Sequence, residues 1–433
     1  MPFESAAAGR KKIAIIGSGI SGLGAAYALS SSHDVTLFEA EPRLGGHART
    51  IIAGKRGDQP VDTGFIVFNY ANYPNLARVF EDLDVPVTKS AMTFGASIRG
   101  GRLEYGLQGF SSFFAQKKNL ANPFFLGLLR DIFRFNAKAL ETVKDHPDLS
   151  IGEFLDKLGM GRWFRDYYLL PLTGAIWSTP TRQVAEFPAQ AMVRFLKNHG
   201  LLSYDGQHQW YTVQGGSVTY VDKMATALRR SGVKMRLGCP VSAVQRNAVG
   251  AEVKSVGSDW QSFDEVVFAT HSDDSLRLLA DPTAEERRLL GVIKYQPNEV
   301  VLHCDEQVMP KRKAVWSSWN YSETPAQRDG QIDLTYWMNS LQPIPMDDPH
   351  FVTLNSNREI RQELIYDQVT LRHPVYDLAA LEAQKGVRLM NGDHATWYCG
   401  AWMRDGFHED GLSSGLDVAH AILARGMVPL AAE

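Results

Sequence analysis

Residues 13–39 constrain this chain more than any other stretch, because strand, glycine turn, helix, strand and acid follow one another as in a dinucleotide-binding βαβ unit. Ile13-Ala14-Ile15-Ile16 is a short apolar strand running into Gly17-Ser18-Gly19-Ile20-Ser21-Gly22 and an alanine-rich helix through Leu29. A second strand, Val35-Thr36-Leu37-Phe38, ends at Glu39 and Ala40. Gly17 allows the tight turn, Gly19 lets the backbone approach a pyrophosphate, and Gly22 lets the helix pack on the strand. The helix start offers free N–H groups and a positive dipole end to phosphates. Glu39 sits where a carboxylate accepts hydrogen bonds from both ribose hydroxyls. The pattern predicts a bound dinucleotide.

With 433 residues the chain exceeds a single small core, so two domains are expected. Its 44% hydrophobic and 21% charged residues are ordinary for a globular protein. The net charge of −3 gives no basic field for nucleic acid. Cys239, Cys304 and Cys399 are widely spaced, with no metal-type pair and no disulfide framework, which fits a reducing cytoplasm. The first strand begins so early that no cleavable signal peptide is expected, and no metal site is. The longest apolar run, Pro123–Leu129, is broken by Arg130, Asp131 and Arg134, too short to span a membrane.

Three further segments favour FAD over NAD. Arg43-Leu44-Gly45-Gly46-His47-Ala48 suits a loop wrapping a phosphate while its backbone passes the ribityl chain. Thr63-Gly64-Phe65 places a glycine where the chain approaches a flat ring. The C-terminal Thr396–Ala401 strand, with Gly400, leads through Phe407-His408-Glu409-Asp410-Gly411-Leu412 into a helix to Leu423. Such a helix start, aimed at the N1–C2=O edge of a flavin, stabilises the charge of its reduced form.

These motifs resemble the flavin-containing amine oxidase and phytoene desaturase superfamily. Within it, Leu44–Ala48, Phe114–Asn119, Gly174–Ser178 and Gly406–Leu412 resemble the FAD-dependent oxidoreductase-like domain fused to plant cyclopropane-fatty-acid synthases, and its stand-alone bacterial relatives. The resemblance runs from about Ile13 to Leu423 and implies non-covalent FAD and chemistry on lipid acyl chains. By the same analogy the backbone of Val241 meets the adenine and Ala269-Thr270 lie beneath the nucleotide. Two departures stand out: His47 replaces the arginine of a GGR motif, and Ala401 replaces an acid, leaving Asp405 or Asp410 to reach the ribityl hydroxyls.

The implied fold is α/β, a discontinuous glutathione-reductase-like (Rossmann) FAD-binding domain with an amine oxidase-like α+β substrate domain containing an antiparallel sheet. Residues 1–85, 214–271 and 386–433 are assigned to the first domain, and 86–213 and 272–385 to the second. In the first, a helix after Gln214-Gly215-Gly216 turns Val218, Val221, Met224, Ala225 and Leu228 to a core; strands follow over Val233–Val244, Ala251–Val256 and Asp264–His271. The second is expected to be largely helical over 86–213. Glu299–Cys304, Ala314–Asn320 and Gln331–Met338 then read as an antiparallel meander, with Ile332, Leu334, Tyr336 and Met338 inward and Asp333, Thr335 and Trp337 outward.

Only one GxGxxG is present, so no NAD(P)H site is expected and electrons must come from the substrate. Hydride removal from a C–H bond, desaturating or otherwise oxidising a methyl-branched or cyclopropane-bearing fatty acyl chain, is the leading reading. The alternatives are a redox-neutral double-bond isomerase, an amine oxidase, and a non-catalytic flavin-binding partner of a lipid methyltransferase. His408 is the acid/base candidate, with Trp402 and Phe407 as paired aromatic walls; Trp177, Trp210, Tyr211, Trp316 and Trp319 are further wall candidates. Phenylalanines between Phe110 and Phe135, flanked by Lys117, Lys118, Arg130 and Arg134, read equally as a core-packed helical pair or a lipid-facing entrance making peripheral contact with the inner membrane surface.

Overall fold

The computed structural model describes residues 9–177, 184–202, 208–324 and 332–425. Ser178 of the third resemblance segment, Gln331 of the meander and residues 426–433 lie outside the described residues.

One layer is a five-stranded parallel sheet in the order Lys234–Arg236, Asp34–Phe38, Lys12–Ile16, Glu265–Phe268, Thr396–Tyr398. Ile13, Ala14 and Ile15 in its middle are fully buried, which a parallel sheet covered on both faces requires. The helix Ile20–Leu29 crosses one face and packs against the helix His408–Arg425. Small residues set how closely these helices lie. A Cβ on Gly415 would stand 2.2 Å from the Ser21 carbonyl oxygen, and one on Gly24 would stand 2.4 Å from Leu412 Cδ1. The helix Val218–Arg230 buries Val221, Met224, Ala225 and Leu228 as expected, together with Tyr220. Val218, at its first position, is exposed instead.

The single strand expected over Val233–Val244 is two. Lys234–Arg236 joins the parallel sheet, whereas Val241–Asn247 pairs in an antiparallel sheet with Gly250–Ser255 and, beyond it, Gln261–Phe263. Between them, Gly238 adopts φ 61° and Pro240 lacks an N–H, so the chain turns from one sheet to the other.

The second layer is a seven-stranded sheet in the order Ile365–Pro374, Tyr295–His303, Phe351–Leu354, Asp333–Trp337, Trp319–Ser322, Phe94–Ile98, Leu103–Gly106. It is mixed rather than a pure meander, because Trp319–Ser322 and Phe94–Ile98 run parallel. Residues 313–315 form a short 3-10 turn, so the strand expected from Ala314 starts only at Trp319. Of the positions expected outward, Trp337 is half-buried, but Asp333 and Thr335 do not reach water. Asp333 is fully buried against Arg358 (2.9 Å), and Thr335 is hydrogen-bonded to Thr353 (2.9 Å). A buried polar layer thus mimics a solvated face in the sequence.

The block 86–213, expected to be largely helical, also supplies Val87–Ser90, Phe94–Ile98, Leu103–Gly106 and Trp210–Val213 as strands. Its longest helix, Pro123–Asp145, is capped by Asn122 and turns Phe125, Leu128, Ile132, Phe135, Ala139 and Val143 into the core. Its other face leaves Phe124 64% exposed. No described helix is long and apolar enough to cross a membrane.

Candidate cofactor and substrate cavity

The carboxyl ends of the parallel strands open on a cavity of about 480 Å³ that extends to the seven-stranded sheet. Gly17, Ser18, Gly19, Ile20 and Ser21 form one wall. The helix starting at Ile20 has no side-chain cap and no acid in its first turn, so its leading N–H groups remain free for an anion. Gly17 has φ 101°, and a Cβ there would lie 2.7 Å from the Ala269 carbonyl oxygen. Gly19, by contrast, has open space where its Cβ would stand. A long phosphate-bearing ligand needs such bare backbone facing the void.

Glu39 closes the turn. Its Oε2 accepts from the Ser18 N–H (2.8 Å) and hydroxyl (2.5 Å), and its Oε1 accepts from the Glu41 N–H (2.9 Å). Gly45, Gly46 and His47 line the cavity opposite, their loop bridged to Gly19 at Gly45. Arg43 does not face the cavity; it donates to the Gly46 and Ala48 carbonyls (2.9 and 3.1 Å) and holds the loop from behind. Thr63, Gly64 and Phe65 continue this wall, and a Cβ on Gly64 would meet the His47 carbonyl oxygen at 1.9 Å.

The tail segment completes the cleft. Gly400, Ala401, Trp402, Phe407 and His408 line it, as do Ala269 and Thr270. Trp402 is buried, donates Nε1–H to the Thr270 carbonyl (3.0 Å), and occupies the space a Cβ on Gly400 would need. Phe407 stacks on Phe195 at 4.9 Å, so its ring partner comes from a helix the sequence reading did not assign to the site. Of the two acids considered in place of the one missing at Ala401, Asp405 reaches the cavity, beside Arg194 (3.2 Å). Asp410 instead accepts from the Phe407 N–H (2.9 Å), and burial pushes its carboxyl up to about 7.

The remaining predicted residues lie behind the wall. Gly22 packs on the turn, where a Cβ would stand 1.9 Å from the Gly17 carbonyl oxygen. Gly411 and Leu412 pack on Ile20 and Gly24. Glu409 caps a different helix, Pro74–Asp82, accepting from the Asn75 and Leu76 N–H groups (3.0 and 2.9 Å). Ala40 and Val241 are not among the cavity-lining residues. Trp177 and Trp319 line the cavity, whereas Trp316 packs with Met309 and Phe351, and Trp210 and Tyr211 pack beside the parallel-sheet core. Cys399 is fully buried and its thiol is pushed up to about 12 by burial, as an inert core residue.

His408 stacks on Phe65 (3.9 Å, 11°) and is hydrogen-bonded through Nε2 to the Tyr220 hydroxyl (2.6 Å). Burial lowers its pKa to about 3, so it is a neutral imidazole rather than a group titrating near pH 7. Sequence reasoning missed two more histidines in the cavity, His271 and His373, whose rings each lie 5.8 Å from that of His47. Burial brings both to about 3 as well. His271, Asp273 and Asp274 have the separations of a cation site, but Arg372 already donates to both carboxylates (2.6 and 2.5 Å).

The far floor was also missed. Val300, Val352, Leu354 and Leu371 with Trp319 and Tyr336 form an apolar surface on the seven-stranded sheet. A signal was available: Ile365, Val369 and Leu371 alternate with Tyr366, Gln368, Thr370 and Arg372, a half-buried strand pattern.

Residues 20–354 match the family profile described as flavin-containing amine oxidoreductase. No curated protein matches the chain in sequence. Among solved structures it is similar to a CLA-producing fatty acid isomerase from P. acnes (TM-score 0.66, 14% identity, 96% of this chain and 99% of that one). It is likewise similar to cyclohexylamine oxidase from Brevibacterium oxydans (TM-score 0.68, 15% identity, 96% and 99%). A putrescine oxidase variant gives TM-score 0.68 at 17% identity, over 96% and 99%. At these identities the likeness is one of fold.

Proposed function

Since the chain belongs to the flavin-containing amine oxidoreductase family and is an FAD-dependent oxidoreductase, we propose that it acts on an apolar fatty acyl chain. When bound, FAD supplies the two-electron acceptor for a hydride leaving a substrate C–H bond. The free N–H groups at Ile20 and Ser21 would hold its pyrophosphate, Glu39 its ribose, and the Gly45-Gly46 and Gly400-Ala401 backbones its ribityl chain and ring.

The observation that carries the acyl reading is the sheet floor, where Val300, Val352, Leu354 and Leu371 offer a chain apolar burial and no charge. The cavity's acids are already engaged. Asp274 is paired with Arg372 and Arg277, Asp405 lies beside Arg194, and Glu39 holds the Ser18 and Glu41 amides. A cationic amine would find no carboxylate without a partner among these three. His271, His373 and His408 stay neutral and serve as hydrogen-bond partners that exclude water from the reacting end.

A redox-neutral double-bond shift is the second reading, favoured by the fold shared with the fatty acid isomerase. Incubation with defined acyl phospholipids and free fatty acids, under air and under argon, separates the two by mass spectrometry. Loss of two hydrogen atoms indicates desaturation, and unchanged mass with moved double bonds indicates isomerisation. Flavin-loaded protein that leaves every acyl chain untouched but oxidises alkylamines would refute the acyl reading.

The same reading includes peripheral contact with lipid. Phe110 and Phe124 are 73% and 64% exposed, with Lys117, Lys118 and Arg130 exposed around them. Flotation with anionic liposomes, comparing the wild type with a Phe110→Asp/Phe124→Asp variant, tests it. Phe125, fully buried, is unsuitable for this test.

A further inference from the structure

At the end of the apolar floor nearest the glycine loops stands His373, on the strand Ile365–Pro374 two residues from Leu371 and on the same side. A chain of hydrogen bonds fixes which of its nitrogens carries the proton. The chain starts from a group whose polarity is certain, the backbone N–H of Glu299, which donates to Asn355 Oδ1 (2.9 Å). Asn355 must then present its amide nitrogen to Asn298, and Asn355 Nδ2 donates to Asn298 Oδ1 (2.7 Å). Asn298 in turn presents Nδ2, which donates to the Gln296 carbonyl (3.3 Å) and lies 3.2 Å from His373 Nδ1.

An amide NH₂ only donates, so Nδ1 is the acceptor and the proton of the neutral ring sits on Nε2. Asn298 is fully buried and Asn355 nearly so. Asn355 is further clamped because its own N–H donates to the Glu299 carbonyl (2.9 Å) while it holds φ 51°, a conformation asparagine tolerates. The ring's hydrogen bond among the described residues is the one at Nδ1, which leaves Nε2 to the cavity that the residue lines.

We infer that His373 is a tautomer-locked, uncharged hydrogen-bond donor that anchors an oxygen of the substrate at the reacting end of the cavity, so the substrate carries a carbonyl or hydroxyl oxygen rather than hydrocarbon alone. The inference rests on the acyl reading above and adds the acceptor that the floor lacks. Burial keeps the ring neutral, so the donor does not come and go with pH. Arg372, the arginine in the cavity lining, is already engaged by Asp273 and Asp274, which favours a neutral oxygen and leaves carboxylate recognition without a free cation.

The test uses flavin-loaded protein carrying ¹⁵N-histidine, with decan-2-one as the probe ligand read by perturbation of the flavin absorbance. His373, assigned by loss of its signals in His373→Gln, is expected to show a bare Nδ1 and a protonated Nε2, unchanged between about pH 5 and pH 8. His373→Leu should weaken decan-2-one binding about three- to tenfold, the worth of one neutral hydrogen bond, and His373→Gln should restore it within about twofold. Asn298→Asp replaces the donor with an acceptor, so the ring should take its proton on Nδ1 and become pH-dependent.

A wild-type ring protonated on Nδ1, no binding of the ketone by wild type, or equal binding by the leucine variant overturns the inference. So does an altered flavin reduction potential with unaltered ketone binding, which would turn the donor toward the ring. Failure to load flavin at all would instead strike the proposed function, since the tautomer can still be read in that preparation.

Discussion

Replacing Gly415 with alanine should cost this protein its flavin before it costs its fold. In isolation the change is favourable, because alanine in a helix interior gains roughly 1 kcal/mol over glycine. Here the new Cβ would stand 2.2 Å from the Ser21 carbonyl oxygen, 3.0 Å from its carbonyl carbon and 3.2 Å from its Cα. All three are backbone atoms, so no rotamer change relieves the clash, and the two helices must separate by about 1 Å. Overpacking of this kind costs roughly 3 kcal/mol at the upper end of its usual range, leaving a net loss of about 2 kcal/mol. In a chain of this length that lowers the thermal midpoint by only about 2 °C. The displaced residues, however, are Ile20 and Ser21, at the uncapped helix start. One charge-assisted hydrogen bond lost there weakens anion binding by roughly ten- to a hundredfold. Equilibrium dialysis for FAD and a melting curve measure the two effects separately. Gly127→Ala is the internal control: it lies in the helix Pro123–Asp145 with nothing within 4 Å of its Cβ position, and should be neutral or raise the midpoint by about 1 °C. If Gly415→Ala keeps wild-type flavin affinity, the helix contact does not set the position of the phosphate-facing amides.

Glu39→Ala removes the acceptor of the Ser18 and Glu41 N–H groups, and its FAD affinity should fall at least about tenfold with little change in secondary structure by circular dichroism. Asp410 is held above its unfolded value of 3.8, at about 7, by burial, so the native state binds the extra proton and stability falls as pH rises from about 4 to about 7. Asp410→Asn keeps an oxygen for the Phe407 N–H and should flatten that slope; an unchanged slope in thermal midpoints refutes the assignment. His408, neutral down to about pH 3, should contribute no inflection to an activity profile between pH 5 and pH 8. Tyr220→Phe leaves its Nε2 without this partner and should cost about 1–2 kcal/mol in denaturant unfolding.

The glycine-turn wall of the cavity was legible because its requirements are local. Gly17, Gly19, Gly22 and Glu39 sit within one strand–helix–strand unit, where each residue's task follows from spacing alone. The apolar sheet floor was not, because it is assembled across the chain. Leu371 and Val300 are brought together by pairing of Ile365–Pro374 with Tyr295–His303. The alternation at Asp333 and Thr335 pointed to water, and only the arrival of Arg358 and Thr353 shows these polar groups buried. Glu409 lies in the first turn of its own helix but serves the helix starting at Pro74, a partnership with no local trace. His408 looked titratable because its surroundings, Phe65 and Tyr220, lie far away in sequence.

The strand Lys12–Ile16 lies between Asp34–Phe38, available almost at once, and Glu265–Phe268, whose own outer neighbour is Thr396–Tyr398. During synthesis at the ribosome its second edge therefore stays bare for the length of a whole domain, presenting unpaired N–H and C=O groups to whatever strand comes near. A chain built in this order closes its nucleotide half only after most of the polypeptide has emerged, so nascent fragments are candidates for chaperone capture rather than small working flavoproteins.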